Sequence, residues 1–143
     1  MQLDARTFDP AAFVAAYPDN YIIFMTGGWD YTTKHAYYKG LLCYGSHRKK
    51  IEKQMSNIGS PNVAMLIGTV EACNMLKKQG TILYLVTPTP LGFKIGKKGK
   101  GPNVELVQEV LRICGEKMIV LNDIDLHLGG ELIRDVIDGK IKI

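Results

Sequence analysis

Tyr21-Ile22-Ile23-Phe24-Met25-Thr26-Gly27-Gly28 is a continuous apolar run closed by two glycines. Its β-branched and aromatic residues do not alternate with polar ones, so it predicts a central strand buried on both faces. The neighbouring segments say what kind of sheet surrounds it. His35–Tyr44 predicts a second strand. After Gly45-Ser46, the stretch Arg48–Ser56 alternates Ile51, Lys53 and Met55 with Lys50, Glu52 and Gln54. These two runs predict an antiparallel hairpin.

Ser60-Pro61 then opens a long helix, with a capping hydroxyl and proline at the first helical position. Val63, Leu66, Ile67, Val70, Cys73, Asn74 and Lys77 recur at helical spacing, and Lys78-Gln79-Gly80 closes the helix. Thr81–Thr87 is a further apolar strand. Strand, helix and strand in this order predict a parallel pair joined by a right-handed crossover. Beyond Pro88-Thr89-Pro90, the segment Gly96–Gly101 reads as a flexible basic loop. It lacks the Gly-Lys-Ser/Thr ending of a phosphate loop. A helix from Pro102-Asn103 to Gly115 follows, its core face marked by Val104, Val107, Val110, Leu111 and Cys114. Met118–Leu121 is a fifth strand, and Gly130–Ile137 a final short helix.

Upstream, Asp9-Pro10 and Ala11–Tyr17 predict a short helix within a leader of residues 1–20. The expected organisation is therefore a leader and one α/β domain over residues 21–143. Its elements run βββαβαβα, forming a five-stranded mixed sheet flanked by helices.

The chain has 143 residues and a net charge of +4, distributed unevenly. Residues 53–104 hold seven lysines and one acid, Glu71, whereas the remainder holds eleven basic and thirteen acidic residues. A lysine-rich middle on a mildly acidic scaffold attracts phosphate. Cys43, Cys73 and Cys114 sit in apolar runs without a CxxC spacing, which predicts reduced, buried thiols and a cytoplasmic location. No signal peptide is recognisable, and no apolar run approaches the ~20 residues of a membrane span.

Order and local words together resemble ribonuclease H type 1 from about Tyr21 to Val136. Ile23-Phe24-Met25-Thr26-Gly27-Gly28 is similar to the family's first strand, I-F-T-D-G-S. Tyr38–Tyr44 and Arg48-Lys49-Lys50 are similar to its second strand and turn. Ser60–Leu66 resembles T-N-N-R-M-E-L, and Glu71–Leu76 resembles E-A-L-E-A-L. Leu85-Val86-Thr87-Pro88 stands at Y-T-D-S, Asn103–Leu106 at N-V-D-L, and His127-Leu128-Gly129 at the late H-x-G.

The family holds two divalent ions, magnesium or manganese, on four carboxylates, and cleaves a phosphodiester with them. On this resemblance the acid positions fall at Thr26, Met65 and Thr87, with Glu131 or Asp135 nearest to the fourth. Neutral side chains do not balance two dications, so the resemblance implies a domain without the usual catalytic residues, metals or cofactors. A rearranged nuclease site would draw on Asp30, Asp123, Asp125, Glu131 and Asp135, and Asp123-x-Asp125-x-His127 is a candidate ligand trio.

The resemblance also carries over binding groups. Gly27, Asn62, Lys97, Lys98 and Lys100 match positions that approach a nucleic-acid backbone, and Trp29, Tyr31, Tyr37 and Tyr38 are candidates for stacking on bases, with at least two of the tyrosines expected in core or hairpin packing instead. Expected partners are thus RNA, DNA or a hybrid. The alternative is a protein partner or second copy docking on the neutral face around Thr26, Met65 and Thr87.

Overall fold

The computed structural model describes residues 1–56 and 59–143. Its strands are β1 (Gln2–Asp4), β2 (Tyr21–Asp30), β3 (His35–Tyr44), β4 (His47–Met55), β5 (Ile82–Thr87) and β6 (Val120–His127). Its helices are α1 (Pro10–Ala16), α2 (Pro61–Asn74), α3 (Phe93–Gly96), α4 (Val104–Glu116) and α5 (Gly130–Ile137). The sheet order is β1-β6-β5-β2-β3-β4. The strands β1, β6, β5 and β2 are parallel to one another, and β2, β3 and β4 form an antiparallel meander. The central run is thus the strand where the parallel and antiparallel halves meet.

Two cores flank the sheet. Ile23, Met25, Tyr38, Leu83 and Leu85 pack under α2 and α4. Ile22, Phe24, Leu41, Val86 and Leu126 pack under α1 and α5. Both proline-led helices begin as their sequences dictate. Asp9 Oδ1 accepts the Ala12 N–H at 3.1 Å, and Ser60 Oγ accepts that of Val63 at 3.4 Å.

Four sequence expectations need correction. The sheet has six strands, not five: Gln2–Asp4 pairs with Asp125–His127, so the start of the leader is an edge strand. The last strand also runs to His127, well past Leu121, because β5 pairs along it as far as Asp125 and β1 takes over from Asp125 to His127. The basic segment is not a free loop. Phe93 is buried, Gly96 lies against Val107, and Gln108 Nε2 donates to the Gly96 carbonyl at 3.3 Å, which docks α3 on α4. Finally, α2 ends at Asn74, and its buried stripe keeps Leu66 and Cys73 of the expected face but takes in Ala64, Gly68 and Ala72 rather than Val63, Ile67 and Val70. Small residues at i, i+4 and i+8 bring its axis close to the sheet. The Tyr38 ring fills the space over Gly68, where an added Cβ would lie 2.5 Å from a ring carbon.

The C-terminus of α2 is closed by a cation. Lys117 Nζ donates to the carbonyls of Cys73, Asn74 and Leu76 at 2.8, 3.1 and 2.6 Å. Helix ends leave such carbonyls without partners, and a cation there also complements the helix dipole. Lys117→Ala is expected to lower unfolding free energy by about 1.5–3 kcal/mol, the range for hydrogen bonds to charged groups. Urea denaturation measures this, and an unchanged midpoint would show the cap to be dispensable.

Candidate nucleic-acid interface

Strand register decides which side chains meet at the C-terminal ends of β2 and β5. In β2, Tyr21, Ile23, Met25, Gly27 and Trp29 face α2, because Ile23 and Met25 lie in the α2 core. Thr26 pairs with Lys39 and belongs to the opposite face, with Ile22 and Phe24. Thr26 therefore does not meet Met65, which corrects the expectation that Thr26, Met65 and Thr87 share a face. The residue that does meet Met65 is Gly27: a Cβ added there would lie 2.8 Å from Met65 Cγ and 2.9 Å from the Pro61 carbonyl.

By the same alternation Thr87 faces α2, since Leu83 and Leu85 do. Its hydroxyl donates to the Thr89 carbonyl at 2.7 Å. Thr26, Met65 and Thr87 are 2%, 2% and 4% exposed. The chain itself covers all three, which leaves no surface at these side chains for a docking partner.

The remaining acids are dispersed over the fold. Asp125 pairs in register with Thr87, and Asp123 with Leu85, so both stand on the α2–α4 face of β6. Asp30 lies on the other face. Its Oδ1 accepts the Thr32 and Thr33 N–H groups at 2.9 and 3.2 Å, and its Oδ2 accepts Gln54 Nε2 at 3.1 Å. These bonds, led by that of Thr33, hold its carboxyl below the ordinary range. Glu131 and Asp135 are on α5, across the sheet from Asp123 and Asp125. Glu71 accepts the Tyr38 hydroxyl. Among the described residues no three His, Cys, Asp or Glu side chains stand close enough together to hold a metal ion, the Asp123, Asp125 and His127 trio included.

The basic groups have a different setting. Lys97, Lys98 and Lys100 are exposed on the turn that ends α3. The turn is knit by backbone bonds from Lys97 N to Phe93 O, and from Lys98 N and Lys100 N to Ile95 O. Lys94, on α3 itself, joins this group; sequence reasoning counted its charge without placing it there. Among the described residues none of these four lysines pairs with a carboxylate, whereas Lys39 and Lys50 both engage Asp138, at 3.8 and 3.1 Å. No acid occurs between Glu71 and Glu105 to neutralise the segment. Asn62 sits half-buried in the first turn of α2, the turn that covers Gly27.

A cleft of about 800 Å³ opens where β2 runs out past Gly27, lined by the aromatics Trp29, Tyr31 and Tyr37 and by charges of both signs, Lys39 and Lys53 with Asp30 and Glu52. Tyr31 is 85% exposed. Tyr37 lays its ring over Gly28, which has no Cβ to obstruct it. Tyr38 is one of the tyrosines that pack rather than stack: its ring lies in the core over Gly68.

No protein-family model matches the chain, and no curated protein does either. Solved structures do. The N-terminal ribonuclease H domain of a Mycobacterium tuberculosis protein, solved as a fusion with maltose-binding protein, superposes with a TM-score of 0.58. The match covers 75% of this chain and 86% of that one, at 14% sequence identity. The fold is ribonuclease H-like. At that identity the similarity concerns the arrangement of strands and helices. No helix among the described residues is long and apolar enough to cross a membrane.

Proposed function

We propose that this ribonuclease H-like domain binds the backbone of RNA, DNA or a hybrid and does not cleave it by two-metal chemistry. One observation carries the reading. Where β2, α2 and β5 converge, the α2-facing side is built from Gly27, Met65 and Thr87, with Asp125 in register beside Thr87, while the turn that ends α3 presents lysines that pair with no carboxylate among the described residues. Two dications need several anionic oxygens held a few ångströms apart. A glycine, a thioether, a hydroxyl already hydrogen-bonded to the chain and the carboxylate of Asp125 do not supply them. A thioether is also a soft ligand, poorly matched to magnesium or manganese.

Binding requires less. A polyanion is attracted by clustered lysines through counterion release, with no need for acids. Lys94, Lys97, Lys98 and Lys100 would contact phosphates, Asn62 would donate to the backbone, and Trp29, Tyr31 and Tyr37 would offer faces to unpaired bases. The test is a fluorescence-anisotropy titration of a labelled hybrid, a duplex and a single strand across a salt series. Binding that weakens steeply and linearly in log–log coordinates supports the proposal. Absence of binding at low salt would overturn it.

A further inference from the structure

Cys73 on α2 and Cys114 on α4 face each other in the core, with Sγ atoms 3.9 Å apart. Both are free thiols, 0% and 2% exposed. The third cysteine, Cys43, lies in the core on the opposite side of the sheet, where burial pushes its thiol up to about 11. The two facing thiols share a positive neighbour: Lys117 Nζ binds the Cys73 carbonyl at 2.8 Å. The hydrogen bond from Cys73 lowers the Cys114 thiol below its ordinary value, and Lys117 acts in the same direction. A disulfide needs S–S of about 2.05 Å, so the sulfurs must approach by roughly 2 Å.

We propose that Cys73 and Cys114 form a redox pair, closing to a disulfide that ties α2 to α4 when the protein meets a small hydroperoxide. A small oxidant suits a buried pair, because a bulky disulfide reagent has no room there. The Cys114 thiolate attacks one peroxide oxygen and the O–O bond breaks. The leaving hydroxide takes a proton to become water, and Cys114 is left as a sulfenic acid. Cys73 sulfur then attacks the Cys114 sulfur, the S–O bond breaks, and the hydroxyl leaves with the Cys73 proton as a second water. Two thiols are oxidised by two electrons and one peroxide is reduced. A thiol reductant reverses the bond by exchange. The closed pair spans 41 residues, and the loop it fixes contains α3 and the basic turn.

The experiment exposes the folded full chain to hydrogen peroxide, quenches it, and counts thiols after denaturation. The count is expected to fall from three to one, with one cross-linked peptide pair joining Cys73 to Cys114. Dithiothreitol should restore three thiols. The oxidised protein should melt roughly 5–10 °C higher, as expected for a closed loop of this size. In Cys43→Ser the count should fall from two to none, which keeps the proposal testable even if a Cys73 or Cys114 variant fails to fold. Three thiols remaining after treatment, a cross-link through Cys43, or no rise in melting temperature would each overturn it.

Discussion

Replacing Lys97, Lys98 and Lys100 together by alanine is expected to weaken binding of an RNA–DNA hybrid by about two orders of magnitude at about 50 mM salt. Each lysine that neutralises a phosphate releases about 0.9 counterion on duplex, so losing three should flatten the salt slope by nearly 3. The fold should be indifferent to the change. All three side chains are exposed, and the turn is held by main-chain bonds and by Phe93 rather than by the lysines. A Lys140→Ala, Lys142→Ala control removes exposed charge from the segment that follows α5, outside the basic turn, and should shift binding less than the triple variant. Anisotropy across a salt series reads both quantities. A triple variant with the parental slope would move the binding surface elsewhere.

The second large effect concerns the contact that seats α2 on the sheet. Gly68 lies mid-helix, where alanine normally stabilises by about 1 kcal/mol. Here the added methyl would stand 2.5, 2.7 and 2.9 Å from Tyr38 ring atoms, far inside van der Waals contact. The ring cannot retreat, since it is fully buried and its hydroxyl is held by Glu71. Overpacking of this kind costs about 1–3 kcal/mol, so Gly68→Ala should destabilise rather than stabilise. Tyr38→Ala should cost about 3–5 kcal/mol through the cavity it leaves. The decisive reading is the double variant, because a methyl at residue 68 placed into that cavity should recover stability relative to Tyr38→Ala alone. Additive losses in a chemical-denaturation cycle would show that the two residues do not share the space.

The parts of this fold that were legible in the sequence have strong local causes. The capped helices at Asp9-Pro10 and Ser60-Pro61, the β3–β4 alternation and the apolar β2 run each specify themselves. What stayed hidden depends on neighbours. Gln2-Leu3-Asp4 is too short to signal a strand and becomes one only beside β6. Asp123 and Asp125 fall past the strand expected at Met118–Leu121, yet pairing with β5 keeps both extended, joined by β1 at Asp125. The burial stripe of α2 was misread because small residues, not large ones, mark a helix pressed between a sheet and a second helix.

The candidate site was legible by position and not by face. A strand buried on both sides carries no parity in its sequence, so nothing in Phe24-Met25-Thr26-Gly27 says which residue points to α2. The β2–β3 register settles this in favour of Met25 and Gly27. Neither is acidic, so the correction at Thr26 leaves the α2 face without a first-strand carboxylate. Which of the tyrosines pack and which stand free was not legible, because spacing cannot show that Gly68 opens a slot for Tyr38.

The end of the sheet where Gly27, Met65 and Thr87 meet is, on the proposed function, too poor in anionic oxygen to hold paired dications. Calorimetric titration of the full chain with manganese, in the presence and absence of a hybrid, tests this most directly. The account predicts no saturable site tighter than millimolar and no cleavage of the hybrid. Two manganese ions per chain at micromolar affinity, with hybrid cleavage that follows their binding, would contradict it.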